Sequence, residues 1–139
     1  MLEENYTYFD HEADTGIIGR GKTVEAAFIS AAQAVFAIMA DPNTFKATEE
    51  ISINFEEEDI ELAFVTWLNL LITLARVNKM VFKEFKLERK NNNWQGIAKG
   101  EAWSKDIPLG TEVKGATLTM LSVQKLDNNL WEAKCVVDV

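Results

Sequence analysis

The sequence predicts an α+β fold in which two helices pack on a mixed or largely antiparallel β-sheet. Two segments in the first half of the chain have apolar residues at helical spacing. The second half alternates apolar and polar residues between asparagine-rich turns, a pattern typical of antiparallel hairpins. The 139 residues contain no repeat, low-complexity tract or linker, so residues 1–139 are expected to form one domain.

The first elements are two short strands, over residues 6–10 (YTYFD) and 15–21 (TGIIGRG). Gly19 and Gly21 are expected to mark a turn or bulge at the end of the second strand.

The first helix is predicted within residues 22–42, with Thr23 as its N-cap and Asp41-Pro42 as its end. A strand is predicted over residues 49–55, and the second helix over residues 59–77. The acidic run that precedes the second helix is better explained by the positive N-terminal end of that helix than by metal binding. The predicted buried stripes are Val24, Ala27, Phe28, Ala31, Val35, Ile38 and Met39 in the first helix, and Phe64, Trp67, Leu68, Leu71, Ile72 and Ala75 in the second.

The rest of the chain is predicted to be strands. The segments are 81–89, a turn at 91–93, a returning strand over 94–103, a long strand over 111–126, a turn at 127–129 and a last strand over 130–139.

Charge and composition restrict the class of protein. The net charge of −8 argues against a protein that coats nucleic acid. Residues 1–62 carry 14 acidic and 3 basic side chains, and residues 63–139 carry 8 acidic and 11 basic ones. This uneven distribution is consistent with two faces that bind different partners, and equally with two faces that are simply exposed to solvent. The start of the sequence lacks the basic and then apolar segments of a signal peptide. The sequence also has no run of about 20 uninterrupted apolar residues, the length that a membrane-spanning helix needs. One cysteine excludes an internal disulfide, so a cytoplasmic protein without membrane contact is expected.

Two kinds of catalytic or metal site are poorly supported. His11 and Cys135 lie at opposite ends of the sequence, and the apolar strand context of Cys135 is expected to raise its pKa and make the thiol inert. One histidine and one cysteine also cannot supply a zinc site with N and S ligands. His11 is therefore expected to be a structural hydrogen-bonding residue.

Oxygen ligands are available at both ends of the chain. If residues 9–15 are extended, Asp10, Glu12 and Asp14 share one face, and their repulsion calls for a positive group. Asp138 lies among apolar residues and is followed by the carboxylate of Val139, so both could join the acidic cluster if the first and last strands meet. An exposed acidic residue at a chain end is the alternative interpretation.

Four blocks of the sequence resemble the archease family. FDHEADTGIIGRG with the following alanine-rich helix resembles its opening, and FVTWLNLLITLARV resembles its second helix. GTEVKGATLTMLSV resembles its Glu-x-Lys strand, and the terminal VVDV resembles its closing Asp-aliphatic pair. The blocks cover nearly the whole chain in the family's order.

The resemblance implies a non-catalytic partner of the RtcB-type RNA ligase, which joins tRNA exon halves and repairs RNA ends. Archease promotes guanylylation of that ligase and its multiple turnover through a bound metal, for which calcium is the usual occupant. The family's metal ligands correspond to Asp14, Asp138 and Val139 of this chain. Asp10, His11 and Glu12 would then be outer residues of the site, and Lys114 would match a strand lysine with a role in activating the ligase.

The chain departs from the family pattern at three positions. Glu12 stands where the family usually has Thr, and Leu118 and Thr119 stand where it usually has a Tyr-His pair. Two other functions fit the residues: a small metal-dependent hydrolase that uses Asp14 and Asp138, and a chaperone-like module that binds apolar surface.

Overall fold

The computed structural model describes residues 5–139 and confirms the α+β class with two helices. The elements follow one another as β1 (Tyr6–His11), β2 (Asp14–Gly21), α1 (Val24–Met39), β3 (Glu49–Glu56), α2 (Ile60–Asn78), β4 (Met80–Lys90), β5 (Asn93–Ala102), β6 (Gly115–Ala116), β7 (Ser122–Lys125) and β8 (Trp131–Asp138).

The strands form two antiparallel sheets. One has the order β1-β2-β8-β6, with β7 also paired to β8, and the other has the order β3-β5-β4. Every strand pairing within the described residues is antiparallel. The largely antiparallel pairing expected from the sequence is thus confirmed, and the strands are divided between two sheets that share the helices as their core.

Helix α1 lies between the two sheets. Thr23 caps it as predicted, because its side-chain oxygen accepts from the N–H of Ala26 at 3.0 Å. On one side the Tyr8 hydroxyl of β1 donates to the carbonyl of Ala34 at 2.7 Å. On the other side the Phe36 ring lies 5.4 Å from the ring of Phe82 in β4.

Helix α2 completes the core. Asp59 caps its N-terminus by accepting from the N–H groups of Glu61 and Leu62, so the acidic run has the capping role predicted for it. By length and composition α2 could cross a membrane, with a mean hydropathy of 1.6 over its most apolar window. Within this fold it is a core helix: its apolar stripe is buried, and the buried Trp67 Nε1–H donates to the carbonyl of Phe28 in α1 at 3.0 Å.

Gly19 does not mark the predicted turn or bulge, because it lies inside β2. Gly21 is the last residue of that strand, directly before the bend that leads into α1. At both glycines the strand passes very close to α1. A Cβ at Gly19 would lie 2.3 Å from the backbone nitrogen of Ala31, and one at Gly21 would lie 2.5 Å from the Cβ of Ala26. The glycines are needed for the contact between strand and helix.

The long strand predicted over residues 111–126 is also wrong. Only Gly115–Ala116 and Ser122–Lys125 are strands, and a loop with Met120 at a φ of 54° lies between them. The loop is fixed to β8, since the N–H and hydroxyl of Thr117 donate to the carbonyl of Val136, and the N–H of Val136 donates to the carbonyl of Thr119. The alternating sequence resembles a strand although its backbone turns.

Candidate metal centre

The hairpin of β1 and β2 determines which acidic residues lie together. His11 pairs with Asp14 and Asp10 pairs with Thr15, which leaves a two-residue turn, Glu12 and Ala13. Residues 9–15 are therefore not one extended segment, and the condition under which Asp10, Glu12 and Asp14 would share a face is not met. Directly paired residues share a face of the sheet, and neighbours along a strand do not. His11 and Asp14 consequently lie on one face of the hairpin, and Asp10 lies on the other.

Strand β8 brings Asp138 next to Asp14. Thr15 pairs with Val137, so the same register continued by one residue places Asp138 opposite Asp14 on the same face. The N–H of Val139 donates to Oδ1 of Asp14 at 3.4 Å, although the two residues are 125 positions apart. The expected meeting of chain ends thus occurs between the second strand and the last one.

The two aspartates lie on the face of the sheet that points away from α1. Ile17 and Val137 are fully buried on the face toward the helix. On the outer face the Phe9 ring covers Gly16, since a Cβ there would lie 2.2 Å from the ring. At the ends of their strands on this outer face, Asp14 is half-buried and Asp138 is exposed. Solvent can therefore reach both carboxylates.

Lys114 is attached to the same edge through its main chain. Its N–H donates to the carbonyl of Asp138 at 2.7 Å, and its own carbonyl accepts from Nη2 of Arg76 at 3.3 Å. The next two residues form β6, in which Gly115 pairs with Asp138 and Ala116 pairs with Val137. The side chain of Lys114 is exposed.

The proposed ligands are all oxygen donors. They are the carboxylates of Asp14 and Asp138 and the main-chain oxygen of Val139, which suit a hard cation such as Ca²⁺ or Mg²⁺. Among residues 5–139, no three His, Cys, Asp or Glu side chains group closely enough to hold a metal ion. A site here would therefore consist of two side chains and a main-chain oxygen of Val139, with water as the remaining ligand. These donors fit a hydrated divalent cation.

The other predicted site residues differ in their position relative to Asp14 and Asp138. His11 is half-buried beside Asp14, and Glu12 is exposed in the turn with a φ of 54°. Asp10 lies on the opposite face of the hairpin. Leu118 is 63% exposed in the loop that follows β6, and the carbonyl of Thr119 bonds to β8.

A nucleophilic Cys–His pair is excluded by the positions of its two members. Cys135 pairs with Ile17, so its thiol lies on the face toward the core, whereas His11 lies on the outer face. Burial raises the pKa of Cys135 to about 12, which confirms the inert thiol expected from the sequence.

Two residues of α2 that no sequence pattern indicated, Asn69 and Arg76, contact the segment around β6. Asn69 bonds to Ala116 of β6 through both atoms of its amide, and Arg76 bonds to Lys114. The only signal for Asn69 was a polar residue inside the apolar run WLNLL. Arg76 had no signal, since basic residues near the end of a helix are common.

Comparison with known proteins identifies the family. Residues 6–139 match the model of the Archease protein family (MTH1598/TM1083). A protein archease of Methanosarcina barkeri is 34% identical over 98% of this chain and 97% of its own length, and one of Pyrococcus furiosus is 29% identical over 96% and 98%.

Two solved structures share the fold. The solution structure of protein 1598 of Methanobacterium thermoautotrophicum has a TM-score of 0.85 and 27% identity, and the match covers 99% of this chain and all of that one. The crystal structure of an archease from Thermotoga maritima, described as a "possible chaperone", has a TM-score of 0.63 and 22% identity over 94% of each chain, a likeness of fold alone. With a family match from Tyr6 to Val139, the chain belongs to the archease family.

Proposed function

We propose that this protein is a non-catalytic, metal-binding activator of an RtcB-type RNA ligase in tRNA splicing and RNA repair, and that it promotes guanylylation and multiple turnover of the ligase. One observation carries the proposal. Asp14 and Val139 are hydrogen-bonded, and Asp138 lies opposite Asp14 on the same outer face. Membership of the archease family supports the same function.

The cation proposed for this edge is divalent, with calcium favoured. The carboxylates of Asp14 and Asp138, opposite each other on one face, repel one another, and this repulsion is relieved when a cation lies between them. Their donors are all oxygen, and Ca²⁺ accepts flexible sets of carboxylate and water ligands more readily than Mg²⁺ does. A bound divalent cation would supply positive charge at this edge, and Asp14, Asp138 and Val139 would hold it.

The proposed role is accessory because the described residues offer no reactive group besides the proposed ligands. The thiol of Cys135 is buried, and His11 has no nucleophile beside it. A hydrolase that uses Asp14 and Asp138 would need a further base. The ligase is the proposed partner in the cytoplasm, without a stable complex with RNA, since the net charge of −8 opposes nucleic-acid binding.

A ligase assay tests the proposal. Guanylylation and RNA joining are followed with catalytic amounts of wild type, Asp14→Ala or Asp138→Ala. Sustained turnover is expected with wild type and a single burst with either variant. Variants that fold normally and still accelerate guanylylation would contradict the proposed site, and a wild-type protein without effect would contradict the proposed partner.

A chaperone-like module is the second candidate, favoured by one surface feature. Trp103 and Leu109 are 44% and 63% exposed, and both line an apolar cavity of about 270 Å³ at the C-terminal end of α2. Apolar surface of this kind can bind another protein. This function predicts broad suppression of aggregation that is unchanged by a metal chelator, whereas the ligase activator predicts a specific and chelator-sensitive effect.

A further inference from the structure

The strand β6 is held in place by two side chains of α2. Oδ1 of Asn69 accepts from the N–H of Ala116 at 2.8 Å, and Nδ2 of Asn69 donates to the carbonyl of Ala116 at 3.2 Å. One amide side chain thus satisfies both main-chain groups of Ala116, as a neighbouring strand would. Seven residues later, Nη2 of Arg76 donates to the carbonyl of Lys114 at 3.3 Å.

Both side chains project from a fixed base. Residues seven apart lie on the same side of a helix, so Asn69 and Arg76 can contact one segment. The helix beneath them is rigidly packed, because Trp67, Leu68 and Leu71 are fully buried. The helix therefore fixes the position of residues 114–116 relative to the core.

Residues 114–116 in turn bond to β8, the strand that carries the proposed ligand Asp138. The N–H of Lys114 donates to the carbonyl of Asp138 at 2.7 Å, and Ala116 pairs with Val137. Strand β6 is only two residues long, and bonds of Thr117 and Thr119 to Val136 extend its contact with β8. Without Asn69 and Arg76 this segment would remain paired to β8, but it would lose its connection to the helix, and the neighbour of Asp138 would no longer have a fixed position relative to the core.

We infer that Asn69 and Arg76 are positioning residues of the metal centre: through residues 114–116 they hold Asp138 and Val139 where these can bind a cation together with Asp14. This inference rests on the proposed metal site. Positioning residues of this kind change metal affinity without touching the ion, commonly by about 10- to 100-fold.

Calcium titration of an Asn69→Ala variant tests the inference, with hydrogen exchange as a second readout. Asn69→Ala is expected to weaken calcium binding by about tenfold or more. It should also accelerate exchange of the Ala116 and Lys114 amides, which no longer lie in a fixed strand. Arg76→Gln is expected to act in the same direction with a smaller effect, since Arg76 makes one long and exposed hydrogen bond.

Two control variants separate positioning from general loss of stability. Asn78→Ala removes an amide from the same helix that donates to the carbonyl of Leu74 within that helix, so its calcium affinity should equal that of wild type. Trp94→Phe in the other sheet loses the bond to Glu57 and should lower the melting temperature without a comparable change in calcium affinity.

The outcomes distinguish this inference from the proposed function. If wild type binds calcium and Asn69→Ala binds it equally well, the inference is overturned and the metal site stands. If wild type binds no calcium, the metal site fails and the positioning role fails with it. In that case, faster hydrogen exchange in Asn69→Ala would mean only that Asn69 stabilises β6 at the edge of the sheet. Equal weakening of calcium binding in Asn69→Ala and Trp94→Phe would also overturn the inference.

Discussion

At the scale of single residues, the backbone at Glu12 decides which carboxylates can act together. Its φ of 54° closes a two-residue turn, and the pairing on either side sends Asp14 to the outer face and Asp10 to the other. In an extended segment the two would have shared a face. Spacing alone therefore grouped Asp14 with the wrong neighbours, and the acidic residue opposite it on the same face is Asp138.

Cys135 gives the protein a predictable loss of stability at alkaline pH. Burial raises the pKa of its thiol from 9.0 to about 12, so the unfolded chain releases this proton at a lower pH than the folded one. The free energy of unfolding contributed by Cys135 is present below pH 9 and declines as the pH rises above 9, by about 1.4 kcal/mol between pH 8 and pH 10. Urea denaturation of wild type and Cys135→Ala at both pH values measures the difference. An equal pH dependence in the two proteins would contradict this assignment.

At the scale of elements, the contact between β2 and α1 depends on one missing side chain. A Cβ at Gly19 would lie 2.3 Å from the Ala31 nitrogen and 2.4 Å from the Ala27 oxygen, and these backbone atoms cannot move without shifting the helix. Gly19→Ala is expected to lower the free energy of unfolding by about 3 kcal/mol or more, at the upper end for overpacked sites.

Gly16→Ala on the same strand is the matched comparison. Its Cβ would meet only the ring of Phe9, a half-buried side chain that can rotate away. Its expected cost is about 1 kcal/mol. Urea denaturation of both variants provides the measurement, and equal losses would show that the strand is not held against α1 at Gly19.

The end of α2 carries strain that a substitution can remove. Lys79 is the C-cap, with a φ of 54°, and its N–H donates to the carbonyls of Ala75 and Arg76. Glycine adopts this conformation without steric cost, so Lys79→Gly is expected to stabilise the protein by about 1 kcal/mol. Thermal denaturation of the variant measures this gain. Lys125→Gly, at an exposed strand position, should by contrast destabilise, and a stabilised Lys125→Gly would contradict the strain argument.

The helices and hairpins could be predicted because their signals are local. Thr23 and Asp59 are capping residues directly before apolar periodicity, and the asparagines at 91–93 separate two alternating segments. The segment 111–126 could not be predicted in this way. Its alternation satisfies the strand pattern, while bonds to Val136, which lies 17 or more residues away, turn the backbone at Thr117 and Thr119.

At the scale of the whole molecule, the proposed site depends on contacts between the two ends of the chain. The Asp14–Val139 hydrogen bond spans 125 residues, and the register of β2 on β8 brings Asp138 to the same edge. No local pattern predicts such a register, because it is set by the burial of Ile17 and Val137 against α1. The resemblance to the family supplied the proposed ligands, and the sheet topology explains why these residues lie at one edge.

The same topology predicts that metal binding stabilises the entire fold. A cation held by β2 and β8 ties the second strand to the last one, and a ligand that binds only the folded state raises its stability by mass action. At a free calcium concentration about 100 times the dissociation constant, the expected gain is about 2.7 kcal/mol. Melting temperatures with calcium and with chelator measure it, and an equal shift in Asp14→Asn would contradict the proposed ligands.

Calcium titration by calorimetry, on wild type and three single variants, tests the central claim most directly. One binding site is predicted for wild type, with binding abolished in Asp14→Asn and in Asp138→Asn. Asp10→Asn removes the same charge from the opposite face of the hairpin and should bind calcium as wild type does. Absence of binding to wild type, or equal losses in Asp10→Asn and Asp14→Asn, would contradict a metal centre formed where β2 and β8 meet.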